Sequence, residues 1–124
     1  MIVDVRAVIR SVQFDPDPRS LPGDPGSFTF LVRLFLGPDD GPGEESFDLT
    51  VCSPEWLANE CRRIGVVDGR HHLILNMDSY DEPILRSWRQ KRVSSVEEPT
   101  WSEIAQRLSR LGYWEFEDYS PPAT

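Results

Sequence analysis

At 124 residues and 14.2 kDa the chain has the length of one domain, with no room for a second core of independent size. Its 39% hydrophobic content supplies the apolar area that a core needs and excludes a disordered acidic chain, while no apolar run approaches the roughly 18 to 20 residues of a membrane helix. Thirteen basic against twenty-one acidic side chains leave a formal charge of −8, which disfavours nucleic acid and anionic lipid and favours a basic partner.

The first segment, Ile2 to Phe14, alternates apolar and polar residues, but its parity switches. Val3, Val5, Ala7 and Ile9 lie on one face, and Val12 and Phe14 on the other, so a bulge near Val8 to Ser11 is expected. Asp15 to Ser27 holds four of the eleven prolines and must leave the ladder as a surface loop. From Phe28 to Leu36 the residues Phe28, Phe30, Val32, Leu34 and Leu36 form an unbroken apolar face, the mark of a central strand. A turn-rich loop, Gly37 to Glu45, leads into a strand with Phe47, Leu49 and Val51, giving a hairpin with a long acidic tip.

Ser53 and Pro54 announce a helix: Ser53 caps free amides, Pro54 suits the first helical position, and Glu55 complements the positive helix end. Trp56, Leu57, Cys61 and Ile64 are its expected buried stripe, and Gly65 stops it. His71 to Met77 returns to strand pattern. Glu82 to Arg92 is expected to be helical, capped by Asp81, with Ile84, Leu85 and Trp88 inward. The last helix carries Thr100 and Glu103 in capping-box spacing, with Trp101, Ile104, Ala105, Leu108 and Leu111 on one face and Gly112 after it. Tyr113 to Tyr119 reads as a final strand before a disordered-looking tail, Ser120 to Thr124. The expected architecture is a single α+β domain over residues 1–124, with about five strands in a mixed or antiparallel sheet and two to three helices mainly on one face. Trp56, Trp101 and Trp114 are its expected core anchors.

The candidate chemistry is sparse. Cys52 sits before a helix N-terminus, where a thiolate can be stabilised, and His71 or His72 would have to serve as its base; a small core cysteine explains the position better. Cys52 and Cys61 match neither a redox pair nor a zinc ribbon and are expected reduced. Adjacent strand residues such as His71 and His72 point to opposite faces, so no metal site is expected, and Pro16 and Pro18 interrupt the faint calcium-loop pattern of Asp15, Asp17 and Asp24. Phosphate loops, nucleophile elbows and zincin motifs are absent from the sequence, so neither catalysis nor a cofactor is expected. Arg86, Arg89, Lys91 and Arg92 form one basic cluster, best explained as charge complementing a helix C-terminus. Two acidic clusters remain as candidate partner contacts: Asp39, Asp40, Glu44 and Glu45 in one loop, and Glu115 and Glu117 beside Tyr113 and Tyr119 on one face of the last strand.

Three segments together resemble the immunity protein 8 family of bacterial polymorphic toxin systems. They are Phe47 to Leu57 (FDLTVCSPEWL), His71 to Leu75 (HHLIL), and Trp101 to Tyr119, where WSEIAQRL is followed by Trp114-Glu115-Phe116-Glu117-Asp118-Tyr119. The resemblance implies a small cytoplasmic antidote that binds and occludes a cognate toxin and performs no catalysis. Many such toxins are basic nucleases, which suits an acidic binder. The alternatives are a non-catalytic interaction or scaffold domain of a bacterial assembly and, last, a small enzyme using Cys52 and a histidine.

Overall fold

The computed structural model describes residues 4–20, 26–75 and 82–117. Strands β1 (Val5–Asp15), β2 (Thr29–Pro38) and β3 (Glu45–Cys52) form an antiparallel meander. Helix α1 (Pro54–Ile64) crosses to β4 (His72–Ile74), which runs parallel to β3. There follow α2 (Glu82–Ser94), β5 (Glu97–Glu98), α3 (Trp101–Leu108) and β6 (Tyr113–Trp114). The sheet runs β4-β3-β2-β1-β5, and β6 pairs with β3 at Phe47 and Asp48. This is the α+β domain expected, with a mixed sheet and three helices.

The apolar alternation places the core. Phe30, Val32, Leu34 and Leu36 of β2 and Phe47, Leu49 and Val51 of β3 are buried on one face, where they meet Leu85 and Val93 of α2 and Ile104, Ala105 and Leu108 of α3. The parity switch in β1 is a bulge: Ile9 pairs with Leu36 and Ser11 with Phe35, leaving Arg10 as the extra residue. Beyond it Val12 and Phe14 pack on the same core as Val5 and Ala7. Arg10 is thereby freed to donate to the Pro38 and Gly41 carbonyls, both at 2.6 Å, across the tip of the β2–β3 hairpin.

Two of the three expected helix caps, Ser53 and Thr100, are formed. The Ser53 hydroxyl accepts from the Trp56 amide at 3.3 Å and also from the Phe28 amide at 3.1 Å, so the cap of α1 is tied to β2. Thr100 caps α3 by accepting from the Glu103 amide at 3.3 Å.

Several expectations change. No residue of α1 is buried: Trp56 and Leu57 are half-buried, while Cys61 and Ile64 are exposed, and the helical share of the core comes from α2 and α3 instead. In α2 the inward positions are Leu85, Arg89 and Val93, one residue out of step with the expected stripe, and Ile84 and Trp88 are exposed. Arg89 takes an inward position because Glu82 pairs with its guanidinium at 3.0 Å and its charge lies 5.7 Å from the Phe14 ring centre. The two-residue β5, with no apolar pattern to announce it, pairs with Val5 and Arg6, and an Arg6–Glu97 ion pair at 2.8 Å spans the junction.

The final strand stops at Trp114. Beyond it the Ser46 amide is taken by the Glu115 carboxylate at 2.8 Å, and the Glu117 amide turns back to the Trp114 carbonyl at 2.9 Å, so Glu115 and Glu117 sit in a turn. The expected start of β1 at Ile2 and Val3, Asp24, Met77, the Asp81 cap, Asp118, Tyr119 and the tail Ser120 to Thr124 lie outside the described residues.

Candidate functional site

The two acidic clusters converge on one end of the sheet. Pairing of β6 with Phe47 and Asp48 brings Glu115 against Ser46, adjacent in sequence to Glu45 and Glu44. The hairpin tip is held there by local geometry. Gly43 has φ +106°, in the left-handed region, and a side chain at Gly37 would run into the Gly43 carbonyl oxygen, so both positions need glycine for the tip to fold back under Arg10.

The six candidate acids are not equivalent. Asp40 and Glu44 are exposed, and among the described residues neither side chain has a hydrogen bond or ion pair. Asp39, also exposed, uses Oδ1 to accept from the Arg6 amide at 3.0 Å while its own amide donates to the Arg6 carbonyl at 2.9 Å. Glu45 faces inward: Oε1 accepts from the Trp101 indole at 2.9 Å and Oε2 from the Trp114 indole at 2.6 Å. Glu115 caps Ser46, and Glu117 accepts from Arg70 at 3.0 Å.

These bonds explain the Trp-Glu-Phe segment physically. Trp114 stacks on Phe47 at a ring separation of 6.3 Å and an interplanar angle of 9°, Glu115 holds Ser46, and Phe116 meets Trp114 edge-on at 5.8 Å. The segment is a latch that closes the chain onto the start of β3. The sequence pattern identified the segment but not this role, since the partner carboxylate lies 69 positions earlier.

Cys52 is fully buried, and burial pushes its thiol above the ordinary value, so the thiolate is disfavoured. Both histidines are bonded elsewhere: His71 Nε2 to the Ser109 carbonyl at 2.7 Å, His72 Nδ1 to the Arg70 carbonyl at 2.9 Å. Among the described residues no hydrogen bond joins Cys52 to either histidine. Among the described residues no group of three His, Cys, Asp or Glu side chains is placed to hold a metal, and no helix is long and apolar enough to cross a membrane. The basic cluster divides: Arg86 and Arg89 pair with Glu82, and Lys91 and Arg92 occupy the last turn of α2, where they complement the helix end.

The family model described as immunity protein 8 matches residues 7–119, almost the whole chain. No curated protein and no solved structure matches it significantly.

Proposed function

The chain belongs to the immunity protein 8 family, and from that premise we propose that it protects its cell by binding a cognate toxin of a polymorphic toxin system and occluding the toxin's working surface, without catalysis. The toxin in this proposal is basic, a nuclease being the natural case, and the two meet in the cytoplasm of the producing cell. Contact is made through the acidic end of the sheet, with Asp39, Asp40, Glu44 and Glu115 outermost and Glu45 and Glu117 holding the frame beneath them.

The observation that carries this is the gathering of two sequence-distant acidic segments at one edge, with Asp40 and Glu44 exposed and unpaired among the described residues, in a chain of charge −8. Opposite charge accelerates encounter, and an antidote must capture its toxin before the toxin acts.

Co-expression with the product of the adjacent gene is the test. A stable complex and survival of cells carrying both are expected; no complex, or killing despite this protein, ends the proposal. In the complex, Asp40→Lys with Glu44→Lys should lower the association rate about tenfold and flatten its salt dependence. Unchanged kinetics would place the interface elsewhere.

A further inference from the structure

A cleft of about 310 Å³ opens between the turn that leads into β4, the C-terminal half of α2 and the turn after α3. Its apolar walls come from Leu49, Leu73 and Leu111, and Trp88, 40% exposed, also lines it. The remaining side chains are Arg70, His71, His72, Arg92 and Arg110, and among the described residues no acidic side chain lines it. That is the reverse of the chain's charge balance of thirteen basic to twenty-one acidic residues.

Most of this cationic capacity is unspent. The side chains of Arg92 and Arg110 have no hydrogen bond or ion pair among the described residues. Arg70 gives Glu117 a bond from one terminal nitrogen only, at 3.0 Å. His71 donates from Nε2 to the Ser109 carbonyl and His72 from Nδ1 to the Arg70 carbonyl, so the second ring nitrogen of each can donate to an anion only when the ring is protonated. His71 also has φ +58°, a left-handed backbone that non-glycine residues seldom adopt, and it is held there by the bond from the Thr50 amide to its carbonyl at 2.8 Å. Such strain persists where surrounding contacts over-determine it, and it clusters at binding sites.

We infer that this cleft is an oxyanion site, taking a carboxylate or phosphate borne on a short apolar stem. Like charges gathered around a concavity repel one another, and a bound anion relieves that repulsion while apolar walls keep its field unscreened. Guanidinium forks on Arg92 and Arg110 match either oxyanion through paired N–H bonds, and the stem lies against Trp88 and the leucines. The site adjoins the acidic edge through the Arg70–Glu117 ion pair and does not depend on the identity of the toxin. A carboxylate-bearing side chain of a protein partner and a small phosphate ester are the two sources of such a group.

The test is a titration followed by NMR, reading the His71 and His72 rings and the Trp88 indole. The probes are 3-phenylpropionate, phenyl phosphate and, as the uncharged control, 3-phenylpropanamide. Saturable shifts of these three residues with one or both anions are expected, with none from the amide, and binding at least tenfold weaker in Arg92→Gln/Arg110→Gln. Tighter binding of the phosphate identifies a phosphorylated small ligand, and tighter binding of the carboxylate an acidic protein side chain. If the double variant fails to fold, Arg110→Gln alone, at an exposed position, carries the comparison. Absence of shifts from both anions, equal response to the amide, or undiminished binding in the folded variant overturns the inference.

Discussion

Trp114 donates its indole N–H to Glu45 at 2.6 Å across 69 positions of sequence, and the other oxygen of the same carboxylate receives Trp101 at 2.9 Å. One acidic side chain thus fastens the start of β3 to the first turn of α3 and to β6. The acid that charge counting offers as a surface contact is the pin of the C-terminal half.

Glu45→Ala should therefore be costly. It strands two partly buried indole N–H groups and removes a charged acceptor, which predicts a loss of about 2–4 kcal/mol and a fall in melting temperature of roughly 8 °C or more. Glu45→Gln should cost about half as much, since its amide oxygen serves one indole while its NH2 opposes the other. Trp114→Ala, which also removes the stack on Phe47, should cost about 3–5 kcal/mol. The double variant should lose less than the sum, the signature of a shared interaction; strict additivity would show that the bond contributes nothing.

Arg89 offers a second stability test. Its side chain is 10% exposed and paired with Glu82, itself 28% exposed. Arg89→Ala leaves Glu82 without its inward partner and a gap beside Phe14, and should cost about 2–4 kcal/mol in urea unfolding at unchanged slope. Arg89→Met keeps the stem and removes the charge; it should cost under about 1.5 kcal/mol, because replacing a buried ion by packed apolar volume is often close to neutral.

This residue also shows where sequence patterns stop being legible. Strands β1 to β3 and the caps of α1 and α3 were readable because their signals are local: alternation with one parity break, Ser-Pro, and Thr with Glu three places on. Arg89 was not, since an arginine counts as polar until a partner seven positions away and a ring on β1 make burial favourable. The α1 stripe failed for the opposite reason. Trp56, Leu57, Cys61 and Ile64 form a genuine amphipathic face, but which helices supply the core, here α2 and α3, is decided in three dimensions. Of the acids, the sequence shows which segments are acidic and not which carboxylates are already bonded, since Glu44 and Glu45 are neighbours with opposite fates.

The two cysteines should separate cleanly. Cys61 is exposed, whereas Cys52 is buried with its thiol pushed upward by that burial. Iodoacetamide on the native protein should give one adduct, at Cys61 by peptide mass spectrometry, and two after denaturation. Native labelling of Cys52 would mean that the β3–α1 junction opens.

Asp17 should titrate anomalously. The Arg19 side chain first, and then the Arg19 amide, hydrogen-bond its carboxylate and lower its pKa from 3.8 to about 2. A depressed folded-state value favours the native state above the unfolded pKa, and that contribution disappears as pH falls from 3.8 towards 2. At a solvent-exposed pair the effect on global stability is small, so the readout is the carboxyl chemical shift. Its midpoint should lie near 2 and return towards 3.8 in Arg19→Ala; coincident curves would refute the pairing.

Arg10 links the fold to the proposed capture of a toxin. The β1 bulge frees its side chain to donate to the Pro38 and Gly41 carbonyls at 2.6 Å, bracing the tip that displays Asp40 and Glu44. Arg10→Ala should cost about 1 kcal/mol of stability, the net worth of exposed hydrogen bonds from a charged donor. Its effect on binding has a distinctive direction. Removing a cation makes the protein more acidic, so encounter with a basic partner should be as fast or faster, while a loosened tip holds the partner less well. Surface plasmon resonance of the complex should show an undiminished association rate and dissociation about fivefold faster, the inverse of the slowed association expected when Asp40 and Glu44 are reversed. If Arg10→Ala slows association and leaves dissociation unchanged, the tip acts through Arg10 itself, and its acids are not the attracting groups.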